Sequence, residues 1–218
     1  MIEDVAFPLK ELPEATADLQ ELLVTNEYHD ACIYGHALEG NFHFIISQSF
    51  DSPEQVARYE KLMDEVKTLV VDKYDGSLKA EHGTGRNMAP FVKYEWGERA
   101  YGFMKAVKEL FDPKGLLNPG VIFNEDPHCH LKHFKPMPLT NAHVDKCIEC
   151  GFCEVNCLTC GFSLSSRQRI VIQREISRLK KLSDTESSER LKTLQKQYKY
   201  LGNATCAGDG LCSMSCPM

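Results

Sequence analysis

Eight of the ten cysteines in this chain lie after residue 146, at two- and three-residue gaps. Cys147, Cys150, Cys153 and Cys157 form a C-x2-C-x2-C-x3-C run. Three thiolates on one tight loop can reach three irons of a single cubane, while the fourth, at the start of a helix, points away towards a second cluster. Gly151 lets that loop turn under the sulfurs. Zinc would ask instead for separated C-x2-C pairs. A second run, Cys206, Asp209, Cys212 and Cys216, repeats the frame with an aspartate in the second place and ends in Cys-Pro. Asp209 reads equally as an oxygen ligand and as the turn residue of an Asp-Gly step.

Both runs resemble those of two-cluster bacterial ferredoxins. That resemblance implies one [4Fe-4S] cluster on Cys147, Cys150, Cys153 and Cys216. A second would sit on Cys206, Cys212 and Cys157, with Asp209 as its oxygen donor. The departure at Asp209 leaves other forms of the second cluster open: a three-iron cluster, or a cubane using Cys160. A carboxylate is a harder ligand than a thiolate, so the second cluster is expected to be the more labile. Leu158 also stands where the pattern expects a proline.

Two other stretches carry chemistry. Gly35-His36-Ala-Leu-Glu-Gly40-Asn41-Phe-His43 sets two histidines seven apart across a Gly-Asn turn. On a hairpin such residues can converge, and two imidazoles so placed make a candidate divalent-metal site. Two unrelated structural histidines would give the same spacing. Glu81-His82-Gly-Thr-Gly85-Arg86 adds a carboxylate and an imidazole on a glycine-rich loop, a candidate third ligand and general base. By itself a Glu-His pair carries little information.

Together with Phe111-Asp-Pro-Lys-Gly-Leu-Leu-Asn118-Pro-Gly120, and in this order, these motifs resemble the C-terminal domain of FAD-linked oxidases, the cap domain of D-lactate, glycolate and D-2-hydroxyglutarate dehydrogenases. The opening Glu3-Asp4-Val-Ala-Phe-Pro8 also looks like a mid-domain segment of that family. The resemblance covers nearly all of residues 2–125. It implies that His36, His43 and Glu81 hold a divalent metal, with zinc expected. It implies that His82 is the general base, that Asn41 lines the pocket of a small 2-hydroxy-acid substrate, and that Asn118 faces the flavin of FAD. Glu39 stands where the family usually has aspartate. The cysteine-rich extension resembles the long bacterial members.

The elements that must position these groups are of two kinds. Residues 13–24 read as a helix with Leu19, Leu22 and Leu23 on its apolar face. Residues 31–37 and 42–49 read as strands, and 53–74 and 90–111 as helices, the first opening at Ser52-Pro53-Glu54. The fold class is therefore α+β: an antiparallel sheet with helices over 1–125, a linker over 126–140 holding Pro127, Pro136 and Pro138, and a mainly helical ferredoxin-like domain over 141–218. Helices are expected at 166–182 and 186–201, the second with Leu191, Leu194, Tyr198 and Leu201 on one face, packing as a hairpin. Residues 165–200 carry a charge of +6, leaving −12 elsewhere. A solvated face is the plain reading of that run, and a docking face for an acidic partner the sharper one. His128, Cys129, His130 and His133 read as linker residues without a specific ligand.

A net charge of −6 makes no case for nucleic acid, and no apolar run is long enough for a membrane span. With no signal peptide at the start, the expected location is cytoplasmic, with a peripheral position at the inner membrane face as the variant. No G-x-G-x-x-G occurs. The family binds FAD in a separate N-terminal domain, so the chain is expected to be a fragment of a longer flavoprotein, inactive alone. The expected function is a share in an FAD-dependent D-2-hydroxy-acid dehydrogenase that passes flavin electrons to iron–sulfur clusters, with an unspecified final acceptor. The alternatives are a non-catalytic iron–sulfur electron-transfer subunit that borrows the cap fold, and a metal-binding module that senses iron or redox state.

Overall fold

The computed structural model describes every residue of the chain except Pro136, and this linker proline lies outside the described residues. The chain divides into two compact units, Met1–Phe134 and Lys135–Met218.

The first unit is built on a three-stranded antiparallel sheet: β1 (Ile2–Ala6), β2 (Cys32–His36) and β3 (Asn41–Ile45), in the order β1-β3-β2. The opening segment is thus an edge strand, a role its paired carboxylates Glu3 and Asp4 hide in the sequence. Side chains alternate across a pleated strand. Phe42 and Phe44 of β3 face the core, with Val5 of β1. Asn41 and His43 fall on the opposite face, beside Asp4 on β1 and Tyr34 and His36 on β2.

Two helices supply the apolar side chains packed against this sheet, and a third follows. In α1 (Leu12–Thr25), Pro13 sits in the first turn and Leu19 and Leu23 are fully buried. In α2 (Pro53–Lys67), the Ser52 hydroxyl caps the helix by accepting from the Gln55 amide, and Tyr59, Leu62, Met63 and Val66 point inward. A wider π-turn over Thr68–Lys73 ends this stretch, which the sequence presents as one continuous helix. Helix α3 (Val92–Phe111) breaks at Gly97, where φ is 72°. Residues 126–134, read as linker, pack within this unit: His130 is buried, and Phe134 stacks on Phe50 at 3.7 Å.

In the second unit, α4 (Ser166–Leu179) opens with a capping box. Ser165 Oγ accepts from the Gln168 amide at 3.2 Å and Gln168 Oε1 accepts from the Ser165 amide at 2.9 Å. Helix α5 (Thr185–Tyr198) is capped by Asp184 and lies against α4, where the Tyr198 hydroxyl donates to the Arg169 carbonyl. Leu201, expected on the packed face, is exposed, because a π-turn over Lys199–Ala204 redirects the chain. Each cysteine run forms a short 3-10 turn, Phe152–Asn156 and Leu211–Ser215, entered through a left-handed glycine, Gly151 or Gly210. The two turns pack on each other, with Asn156 Nδ2 donating to Ser215 Oγ at 2.6 Å. No strand occurs among the described residues of this unit.

Candidate functional site

The hairpin from β2 to β3 brings the first two histidines together. His36 pairs with Asn41 across it, and His43 lies two residues further on, on the same face. The connection is one 3-10 turn, Ala37–Glu39, closed by Gly40 at φ 69°. A Cβ on Gly40 would stand 2.2 Å from the Phe7 carbonyl oxygen, so only glycine lets the turn dock on the strand exit.

Glu81 arrives from a loop 38 residues beyond His43 in the sequence and meets both rings. Its Oε1 is 3.2 Å from His36 Nε2 and 2.9 Å from His43 Nε2. Donors on a tetrahedral zinc, bound at about 2.0–2.1 Å, lie roughly 3.3 Å apart, so two nitrogens and one oxygen at this spacing suit such an ion. His43 is buried, while His36 and Glu81 are half open to solvent, which leaves room for a further ligand on that side. His82 stacks on His43, with ring centroids 4.6 Å apart and planes 17° from parallel. Its Nε2 lies 3.8 Å from Glu81 Oε1.

Asp4 holds this loop, and sequence reasoning passed over it. Its fully buried carboxylate presents Oδ2 to three successive backbone amides, Ala80 at 3.2 Å, Glu81 at 2.6 Å and His82 at 2.9 Å. Oδ1 accepts from Lys79 Nζ at 3.1 Å and lies 4.0 Å from His82 Nδ1. Lys79 also reaches Glu3 at 2.6 Å, and Asn87 closes the network by donating to Glu3. Burial pushes the Asp4 carboxyl up, but the amides of His82 and Glu81 and the Lys79 ammonium outweigh it and hold it below the usual range. Asp4, His43 and His82 form a second set of donor atoms within 4.8 Å of one another, overlapping the first at His43. The available signal was two carboxylates in a short strand, where such residues are depleted.

Asn41 is buried beside His36, and its Oδ1 accepts no hydrogen bond among the described residues. Asn118 is exposed, at φ 44°. Its loop is fixed by Asp112, which accepts from the amides of Leu116 (2.9 Å) and Leu117 (2.8 Å) and from Lys108. The same loop abuts the glycine-rich one: Ile122 donates to the Gly85 carbonyl and Arg86 to that of Pro119. His128, Cys129 and His130 do not converge. They engage Glu60, the Arg86 carbonyl and the rings of Phe91 and Tyr59 respectively.

In the second unit, Cys157, Cys206, Asp209 and Cys212 line one cavity of about 220 Å³, together with Arg169. Asp209 Oδ1 accepts from the Leu211 amide at 3.0 Å, so the residue makes its Asp-Gly turn and also borders the cavity. Burial pushes the Cys157 thiol up. Hydrogen bonds from Thr159, the Ser166 amide and Arg169 outweigh this and hold it below the ordinary value. Cys212 is raised, by burial and then by Cys153 and Cys157. Cys153 sits on the neighbouring turn and Cys147 and Cys150 in the segment that leads into it, where Glu149 donates its amide to Cys147 Sγ at 3.3 Å. None of the ten cysteines forms a disulfide. Among the described residues the unit buries two apolar side chains, Ile176 and Leu179. So thin a core suits a fold that draws stability from bound metal, as the thiolate-rich donor set does.

Residues 1–122 match the family described as FAD linked oxidases, C-terminal domain. Among similar proteins, glycolate oxidase subunit GlcD of Bacillus subtilis is 27% identical over 126 residues, covering 58% of this chain and 26% of that one. D-2-hydroxyglutarate dehydrogenase of Stutzerimonas stutzeri is 33% identical over 124 residues, covering 55% and 26%. The mitochondrial D-lactate dehydrogenase [cytochrome] 1 of Saccharomyces cerevisiae is 30% identical over 125 residues, covering 57% and 21%. The chain thus spans about a quarter of the length of the curated relatives it matches. No helix among the described residues is long and apolar enough to cross a membrane.

Proposed function

This chain belongs, through residues 1–122, to the family of FAD-linked oxidase C-terminal domains, and we propose that it supplies the substrate- and metal-binding part of an FAD-dependent D-2-hydroxy-acid dehydrogenase whose electrons leave through iron–sulfur clusters. The observation that carries this reading is the meeting of His36, His43 and Glu81 at one point, with His82 stacked beside them.

A divalent ion on those three residues, zinc by its donor set, would supply Lewis acidity to the substrate's hydroxyl and carboxylate. FAD would supply the acceptor for the α-hydride. His82 Nε2 faces the ligand cluster and accepts the hydroxyl proton there. Asp4, 4.0 Å from Nδ1, steadies the positive charge that this creates on the ring and keeps the Glu81-His82 backbone in place. Asn41 offers its unpaired, buried Oδ1 to the substrate as an acceptor. Asn118 stands on an exposed loop tied to the glycine-rich one, where a flavin edge could reach it.

Cys147, Cys150, Cys153 and Cys216 would hold one [4Fe-4S] cluster, and Cys157, Cys206 and Cys212 the other, with Asp209 at its border. Clusters pass single electrons, which gives a two-electron flavin an outlet and a reason to be joined to this unit. The partners implied are a small 2-hydroxy acid, an FAD-binding domain or subunit, and an electron acceptor. We assign the chain to the cytoplasm, with peripheral contact at the inner membrane face as the variant.

Metal, iron and acid-labile sulfide analysis of anaerobically purified protein tests the proposal. About seven to eight irons per chain and about one zinc support it. About four irons confine the cluster to the first run with Cys216 and leave Asp209 a turn residue. Zinc in place of iron removes the electron relay.

A further inference from the structure

Helix α4 carries two buried arginines, five residues apart, and each braces one cysteine loop. Their electrostatic situations differ. Arg174 is ion-paired: Nη1 is 2.7 Å from Glu149 Oε1, and Nη2 donates to the Cys147 carbonyl at 2.8 Å. Glu149 is held by Lys135 as well. Lys135 is exposed and screened by solvent, so the buried charge of Arg174 beside the first run is cancelled by Glu149.

Arg169 has no ion-pair partner among the described residues. Nε donates to the Gly202 carbonyl at 2.6 Å, and Nη2 to the hydroxyls of Thr159 (3.0 Å) and Thr205 (3.1 Å). Nη1 points at Cys157 Sγ, 3.9 Å away. These acceptors are uncharged apart from a thiolate at Cys157. The side chain is nine-tenths buried and lines the cavity shared by Cys157, Cys206 and Cys212. A buried guanidinium without a counter-charge is costly, and an anionic group in that cavity would provide one.

From this, and resting on the two-cluster reading above, we propose that Arg169 raises the reduction potential of the cluster held by Cys157, Cys206 and Cys212. That cluster then becomes the terminal electron store of the relay. Reduction adds one negative charge to a cluster, so an uncompensated cation against a ligand sulfur favours the reduced form, as do hydrogen bonds to that sulfur. The cluster on the first run, beside the cancelled Arg174–Glu149 pair, receives no such bias. Each electron from a reduced flavin then equilibrates towards the Arg169 side, before leaving to an external one-electron oxidant.

The test is a redox titration of the anaerobically reconstituted chain followed by electron paramagnetic resonance. Wild type should give two one-electron transitions, and Cys206→Ser should remove the higher. Arg169→Gln should lower that same transition at least tenfold in its reduction equilibrium, about 59 mV for one electron, and leave the other in place. Arg169→Lys keeps the charge and should stay within threefold of wild type. Glu149→Gln exposes the charge of Arg174 and should raise the lower transition. The inference is overturned if Arg169→Gln moves neither potential or both alike, or if Arg169→Lys falls as far. Should Arg169→Gln fail to hold iron, Glu149→Gln decides: no upward shift overturns the charge argument. A wild-type chain with one transition and about four irons sinks the two-cluster premise itself, which is a different failure.

Discussion

Replacing Asp4 by asparagine should both destabilise the first unit and loosen the candidate metal site. The side chain is fully buried and accepts four hydrogen bonds, three from successive amides and one from Lys79. Each bond to a charged acceptor contributes about 1.5–3 kcal/mol. Asparagine keeps one carbonyl oxygen but turns an amide donor against other donors, and leaves Lys79 with Glu3 alone. Breaking a buried pair in this way costs about 3–5 kcal/mol, and we take about 3 kcal/mol as the net loss. Because the freed loop carries Glu81 and His82, zinc affinity should fall about 10–100-fold, the range seen for groups that orient metal ligands. Urea unfolding followed at Trp96, the single tryptophan, reads the first unit. Competition with a chelating dye reads zinc. The carboxyl is held below its unfolded value of about 3.9, so its contribution is complete above that pH and is lost as pH falls through the lower folded value. The variant should lack that part of the acid limb. A urea midpoint equal to wild type, with zinc affinity within threefold, would refute the argument that Asp4 organises the site.

Three further outcomes are expected. Glu81→Gln, on a half-exposed side chain, should leave stability within about 1 kcal/mol while removing most zinc binding, as isothermal titration would register. Gly40→Ala puts a Cβ 2.2 Å from the Phe7 oxygen at a φ of 69°. Left-handed strain of this kind costs about 1–3 kcal/mol, and the melting temperature and the zinc affinity should drop together. Asp112 is held at about 2, first by Lys108 and then by the amides of Leu117 and Leu116. Its hold on the Asn118 loop is therefore full above the ordinary carboxylate range and lost as pH falls towards 2. Asp112→Asn should speed amide exchange at Leu116 and Leu117 at neutral pH, and unchanged exchange would contradict the capping role.

Much of the local structure is legible in the sequence, because it depends on neighbours in the chain. Ser52-Pro53 starts α2, and Leu19 and Leu23 set the buried face of α1, each through contacts within a turn or two. The residue types and spacings likewise mark His36, His43, Glu81, His82 and the two cysteine runs as candidates, since metal chemistry accepts few donors and few gaps. What the sequence could not decide is where those groups meet. Glu81 reaches the histidines only because β3 takes the middle of the sheet and Asp4, on the edge strand, accepts from amides 76 to 78 residues away. Nothing local marks such an acceptor. The same holds for Arg169 and Arg174, which read as two cations of a basic helix. Tertiary packing buries both, gives one a carboxylate and leaves the other facing the cavity of Cys157. Charge is written in the sequence, but its burial and its partners depend on what the fold packs around it, and those decide what the charge does.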